Sequence, residues 1–268
     1  MTKSNKRRFR IKKKFGIVGM LDALGVKNRS IDEALEFTGK IRLVQEGLQT
    51  MTDSYFKVMY GKSSEPQFTE ILDLYKNSPP HILTFGDTVL FTWELPDTNS
   101  PYPYLIPAAD LLSFAICIGL DHELLFRGAF TFGEYIQDET VVAGPAIADV
   151  ASWYEESDWF GIIATPYCSQ FISYMDQQKN KFNETLRDFF NETFIYYDVP
   201  MKDAHTKKLW ALAWPRLNSY IHTIESINTI DWYYNQLQAL QIPKGTEAKY
   251  MNTEKFLMKT LDKDVYLK

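Results

Sequence analysis

Two aspartates stand where short strands would deliver them. Asp22 closes the apolar run Phe15-Gly-Ile-Val-Gly-Met-Leu-Asp22, which reads as a buried strand ending in a carboxylate and turning at Gly25. Asp87 follows Gly86 between two β-type runs, His81–Phe85 and Thr88–Trp93, so that Gly86-Asp87 reads as a two-residue hairpin tip. Taken alone, a Gly-Asp pair is an ordinary turn, because Gly supplies positive φ and Asp bonds its own backbone. Taken together, on adjacent strands, the two carboxylates converge with no Lys or Arg assigned between them. Such a pair is costly unless a cation bridges it, and Mg²⁺ is held by one or two carboxylates plus substrate phosphates. Backbone N–H groups of Ala23, Leu24 and Gly25 are placed to approach a phosphate.

The elements that must position the pair are legible around it. Ser30-Ile-Asp-Glu33 is a capping box, and apolar residues recur at Ala34, Phe37, Ile41, Val44, Leu48 and Met51 as on one long amphipathic helix. A short helix is expected over 68–75, then the hairpin, then a turn-rich loop over 96–103. Pro107 is expected to open a second, almost wholly apolar helix running to about Leu125, and Phe126–Gly133 alternates as a strand. Strand, helix, strand, strand, helix, strand is the ferredoxin-like βαββαβ order, in which the first strand lies centrally beside the third. The fold class expected is therefore α+β, with that core, extra strands and C-terminal helices. A strand at 140–143 turning at Gly144-Pro145 into a helix to about Glu156, a buried strand at 160–164, one helix from Pro166 to about Phe190, a strand pair (194–199 with 209–214) and helices broken at 242–245 complete the reading. The domain boundaries expected are a flexible basic tail over 1–14, the site-bearing domain over 15–215 and a helical extension over 216–268.

Composition limits the classes available. Hydrophobic residues make up 45% of the 268, enough for a core. The first 14 residues carry eight Lys and Arg and no acid, while the whole chain has a net charge of −5, so the remainder is distinctly acidic. A basic arm folding back on its own acidic body is expected, and nucleic acid is not the expected partner. Asp22 cuts the N-terminal apolar run too short for a signal peptide, and Leu111–Leu120 is too short and too closely flanked by Asp110 and Asp121 to span a bilayer. Cys117 and Cys168 have no metal-ligand spacing, and His81, His122, His205 and His222 form no cluster, so a reduced, cytoplasmic, soluble chain without a transmembrane segment is expected.

Over residues 14–165 the sequence resembles the class III nucleotidyl cyclase homology domain of adenylate and guanylate cyclases. Asp22-Ala-Leu-Gly-Val26 resembles the family's first metal-binding turn, Asp-x-x-Gly-Phe, and Thr84-Phe-Gly-Asp-Thr88 its Thr-Ile-Gly-Asp hairpin. Arg127-Gly-Ala-Phe-Thr-Phe-Gly133 resembles the strand Arg-x-Gly-Val-x-x-Gly, and 144–153 the helix that follows it. The resemblance implies two Mg²⁺ or Mn²⁺ ions on Asp22, Ala23 and Asp87, and cyclisation of a nucleoside triphosphate to a 3′,5′-cyclic nucleotide plus pyrophosphate. It also implies a homodimer whose site takes residues 127–153 from the second subunit.

Departures from the pattern are equally specific. Leu83 stands where purine cyclases carry a base-reading Lys, Val141 where they carry a base-reading Asp, and Asp149 and Trp153 replace the transition-state pair Asn-x-x-x-Arg. Arg127, Lys27 and Arg29 are the cations available to replace that arginine, with Lys27 and Arg29 favoured by their place beside the phosphate loop. Apolar base-reading positions favour UTP or CTP, read by Thr84, Tyr135 or Thr140, as in the stand-alone bacterial pyrimidine cyclases of anti-phage defence, which work with a separate cyclic-nucleotide effector. Two alternatives stay open: a catalytically degenerate domain that binds nucleotide or a protein partner, and another two-carboxylate palm-type enzyme. The sequence lacks the GG(D/E)EF-like hairpin of the latter.

Overall fold

Strand β1 (Lys13–Ala23) is central because it has little that belongs in water: Ile17 and Val18 are wholly buried on opposite faces of the same strand. The computed structural model describes residues 12–24, 30–59, 66–96, 101–138, 140–217, 229–240, 242 and 244–261. Among the expectations above, the tail over 1–11, Gly25, Lys27 and Arg29 lie outside the described residues.

Helices α1 (Ile31–Met59) and α2 (Pro66–Asn77) follow, then β2 (His81–Phe85), β3 (Thr88–Glu94), α3 (Tyr102–Asp121) and β4 (Phe126–Gln137). The strands pair antiparallel in the order β2-β3-β1-β4, which is the ferredoxin-like order expected. The capping box forms as read: the Ser30 N–H donates to Glu33 Oε2 at 2.6 Å and the Glu33 N–H to Ser30 Oγ at 3.3 Å. Phe37, Ile41, Val44 and Leu48 of α1 are buried, as their spacing predicts. Gly19 of β1 faces α3 so closely that a Cβ there would fall 2.8 Å from the Leu112 side chain. Ile17, Gly19 and Leu21 therefore face the helices, and Val18, Met20 and Asp22 face the other side of the sheet.

That second face is covered by α4 (Pro145–Ala151), which packs on β1 and β4 after the short β5 (Val142–Ala143). The sheet then widens: β6 (Gly161–Ala164) lies parallel to β4, and the hairpin of β7 (Phe194–Pro200) and β8 (Thr206–Leu212) joins it through β8. The result is a single mixed sheet within an α+β architecture. Helices α7 (Thr229–Ala239) and α8 (Glu247–Leu261) close the described chain. Thr253 of α8 accepts a hydrogen bond from the Phe160 N–H at 2.8 Å, and Phe256 is buried against Trp159.

Several boundaries differ from the sequence reading, among them the end of α4 at Ala151 rather than near Glu156 and a last strand over Thr206–Leu212 rather than 209–214. Helix α3 begins at Tyr102, so Pro107 lies inside it and the turn-rich loop is shorter. An interior proline costs ~3 kcal/mol, but each buried Leu, Ile or Phe returns roughly 1.5–3, and nearly every residue from Tyr104 to Leu120 is buried. The longer helix is apolar and long enough to cross a bilayer on length and composition, yet 94% of that stretch is buried inside the protein, as in a core helix. It ends at Asp121 rather than near Leu125, where Glu123 adopts a positive φ of 58°. The single helix expected over 166–190 is two, α5 (Pro166–Gln178) and α6 (Glu184–Thr193), because Asn183 caps a new start: its Oδ1 accepts from the Leu186 N–H at 2.8 Å. Finally, Lys13 and Lys14 belong to β1 rather than to a tail; Lys13 pairs with Glu134, and Lys14 with Glu94 at 3.0 Å.

Candidate active site

Asp22 occupies the penultimate position of β1, opposite Thr88 of β3 on one side and Arg127 of β4 on the other. The β2–β3 hairpin turns at Gly86, whose φ of +60° suits glycine, and Asp87 is the second turn residue. The Ala23 N–H donates to the Asp87 carbonyl at 2.9 Å, which locks the hairpin tip to the end of β1. The two aspartates thus lie side by side, and the charge of Asp87 is felt at Asp22.

What stands between them and the rest of the sheet overturns one expectation. Arg127 donates to Asp22 Oδ2 from both Nε at 3.0 Å and Nη2 at 2.8 Å, and both side chains are almost wholly buried. A cation therefore sits on Asp22 already, supplied by this chain's own β4. Burial raises the Asp22 carboxyl above the usual range; Arg127 pulls it back in part, and Glu155 and Asp87 push it up further.

Glu155 belongs to the connection after α4 and was not singled out from the sequence. Its Oε2 lies 3.7 Å from Arg127 Nη2 and 3.5 Å from Lys202 Nζ, and its Oε1 accepts from the Tyr154 hydroxyl at 2.7 Å. Those partners, Tyr154 foremost, hold the Glu155 carboxyl below its usual range despite some burial. Burial and the Glu155 carboxylate push the Tyr154 hydroxyl up to about 12. The connection is fastened to the β7–β8 hairpin: the Asp158 N–H donates to the Pro200 carbonyl and the Lys202 N–H to the Glu156 carbonyl, at 2.8 and 2.9 Å. The sequence signal for this group is the acidic turn Glu155-Glu156 after a helix, indistinguishable there from a solvated loop.

The phosphate cradle expected from backbone amides is corrected in part. Ala23 N–H is bound to Asp87, and Leu24 N–H donates to the Leu125 carbonyl at 2.8 Å, so both are the last rungs of the sheet and point at protein. Ala23 itself is buried, which leaves its carbonyl as the atom it can offer a metal.

The remaining candidates divide. Leu83 pairs with Leu90, and Leu90 with Met20, so Leu83 lies on the sheet face of Asp22; Thr84 is exposed but pairs with Val89, and Val89 with Leu21, so it lies on the opposite face and is withdrawn as a base reader. Val141 is exposed in a turn held by Asp138, whose Oδ1 accepts from the Val141 N–H at 2.8 Å. That turn lies at the far end of β4 from Arg127, about 37 Å along the strand at ~3.4 Å per residue. Tyr135 is withdrawn as a base reader, because it is buried and its hydroxyl interacts with Thr92. Trp153 carries Lys207 Nζ over its ring at 4.7 Å.

Asp149 is tied into the fold. Its Oδ2 accepts from Thr131 Oγ1 at 2.8 Å and from Thr165 Oγ1 at 2.7 Å, and Thr165 in turn caps α5 by accepting from the Cys168 N–H. Asp149→Ala leaves the two fully buried hydroxyls of Thr131 and Thr165 only each other, at 3.1 Å, so one donor is orphaned and a loss of about 1–3 kcal/mol is expected, read as a lowered Tm. Asp149→Asn, whose amide oxygen still accepts, should lose much less; equal melting of the Ala variant and the parent would contradict the bridging role.

The carboxylate oxygens of Asp22 and Asp87 are hard donors suited to Mg²⁺ or Mn²⁺. Among the described residues, no three His, Cys, Asp or Glu side chains gather into a metal-ligand cluster.

Comparison with models of known protein families returns no match, nor does comparison with curated proteins. Among solved structures the chain is similar to the catalytic core of a rhodopsin-guanylyl cyclase with converted specificity in complex with ATPalphaS, at 12% identity, covering 75% of this chain and 97% of that one, TM-score 0.38. It is similar to the adenylyl cyclase CyaB from P. aeruginosa at 14% identity, covering 75% and 95%, TM-score 0.37, and to the guanylyl cyclase Cya2 at 12%, covering 76% and 93%, TM-score 0.35. At these identities and TM-scores the likeness assigns no residue a role.

Proposed function

We propose that the protein is a metal-dependent nucleotidyl cyclase, converting a nucleoside triphosphate, UTP or CTP, to a 3′,5′-cyclic nucleotide and pyrophosphate. The observation that supports this best is the convergence of Asp22 and Asp87 at the end of the central strand of a β2-β3-β1-β4 sheet, joined by the bond from the Ala23 N–H to the Asp87 carbonyl. In the reaction a bond forms between the ribose 3′-oxygen and the α-phosphorus, the bond to pyrophosphate breaks, and the 3′-hydroxyl proton is lost. No protein nucleophile is required.

Asp22 and Asp87 would hold the divalent ions, and bound ions would lower the pKa of the 3′-hydroxyl and draw negative charge from the triphosphate. Arg127 supplies a buried guanidinium where phosphate charge has to be met, and burial strengthens its field. Glu155 faces that guanidinium from the α4 side, and is itself held by Tyr154 and Lys202. Because Val141 stands far from Asp22 along β4, a base bound beside Leu83 would meet Val141 only from a second copy, which is the basis for proposing a homodimer. By the same reading the product acts through a separate effector.

One observation favours a second reading: Arg127 already neutralises Asp22, as in a degenerate site that binds nucleotide without turnover. Incubation with each of the four nucleoside triphosphates and Mn²⁺, with products identified by mass, separates the two. A cyclic nucleotide that appears with Mn²⁺ and vanishes with chelator is expected. Nucleotide binding without any product would establish the degenerate reading instead.

A further inference from the structure

We propose that Arg127 is a metal-responsive positioning residue: it covers Asp22 when no cation is bound and transfers to Glu155 when a divalent cation takes Asp22. This deepens the reading of Asp22 as a metal ligand and rests on it. Arg127 Nη2 is 2.8 Å from Asp22 Oδ2 and 3.7 Å from Glu155 Oε2, so the same nitrogen reaches either carboxylate through its terminal torsions, without backbone movement. Arg127 is 6% exposed, and a guanidinium displaced from Asp22 at such a position needs another counter-ion at once. Glu155 is that counter-ion. It is itself pinned by the Tyr154 hydroxyl and, more loosely, by Lys202 at 3.5 Å. Lys202 keeps 40% of its side chain exposed, so water replaces Glu155 for it when Arg127 arrives. The arrangement has two acceptors for one buried cation, which is more than a static ion pair uses.

The consequence is a sign that a purely structural arginine would not produce. Arg127 competes with the metal for Asp22, so its removal should tighten metal binding; Glu155 receives Arg127, so its removal should weaken it. The test is Mn²⁺ affinity of the whole chain, measured without nucleotide by electron paramagnetic resonance of free Mn²⁺. Arg127→Gln should bind Mn²⁺ at least about tenfold more tightly than the parent, and Glu155→Gln about tenfold more weakly, each the scale of one charge-assisted hydrogen bond. The double variant should lie much closer to Arg127→Gln than to Glu155→Gln, the remaining difference being the direct field of Glu155 at Asp22. Glu155→Asp should recover part of the loss.

If the parent binds Mn²⁺ and Asp22→Asn abolishes it, but Arg127→Gln binds no more tightly, the transfer is overturned and the metal reading stands. If neither the parent nor Arg127→Gln binds Mn²⁺ saturably, both fall. Should Arg127→Gln fail to fold by circular dichroism, Glu155→Gln decides: unchanged Mn²⁺ affinity there overturns the transfer.

Discussion

Asp87→Asn and Asp22→Asn are each expected to cut metal-dependent formation of cyclic nucleotide by about 10³-fold, the several kcal/mol that a liganded divalent ion contributes to charge stabilisation. Asparagine conserves shape and removes the ligand charge, so both variants test chemistry before structure. The surroundings nevertheless separate them. Asp87 sits at a partly exposed hairpin tip whose backbone carbonyl, not its side chain, accepts from Ala23, so the melting temperature of Asp87→Asn should match the parent. Asp22→Asn also removes the charge that Arg127 faces, and breaking a buried ion pair from one side costs ~3–5 kcal/mol, less whatever Glu155 returns as a second partner. A lowered melting temperature is therefore expected for Asp22→Asn alone. Product assays at a temperature where both variants are folded, with melting followed by circular dichroism, check the pair. Wild-type turnover by either variant would remove the metal-site reading.

UTP or CTP is expected to be turned over tens-fold better than ATP or GTP. A site that reads a purine edge does so with hydrogen-bonding groups, and a buried edge left without partners costs roughly 1–3 kcal/mol per group. Leu83, on the Asp22 face of the sheet and packed against the core, offers hydrocarbon at that position, and in the proposed homodimer Val141 would do the same from the second copy. The smaller pyrimidine ring presents fewer groups to satisfy. Thr140, which is exposed and turns its hydroxyl towards Asp138 Oδ1 at 3.2 Å, is then the expected reader, whereas Thr84, paired through Val89 with Leu21, lies on the opposite face of the sheet. Competition between the four nucleotides at equal concentration, with products resolved by mass, gives the ratio directly. Faster turnover of ATP or GTP would reject the assignment of Leu83 and Val141 as base-facing.

Whatever rests on neighbours in the chain was legible before the fold. The apolar run into Asp22 makes a central strand because it has no polar face to give to water, and Gly86-Asp87 makes a two-residue hairpin because glycine tolerates the positive φ it demands. Ser30 and Glu33 find each other three residues apart, and the βαββαβ order follows from the succession of periodicities. Helix limits were less legible where tertiary burial opposed local preference, as when the apolar face of α3 absorbed Pro107. The chemistry of the site depended on register. Arg127 meets Asp22 only because β1 and β4 pair antiparallel with those two residues opposite, across 105 positions of sequence. Glu155 arrives from a loop whose course is set by its bonds to the β7–β8 hairpin, and Asp149 is claimed by two threonines, one mid-way along β4 and one just past β6. A carboxylate's place in a sequence says that it can hold a charge. Which cation it faces is decided by strand pairing and loop docking, because those contacts join residues that no local pattern connects.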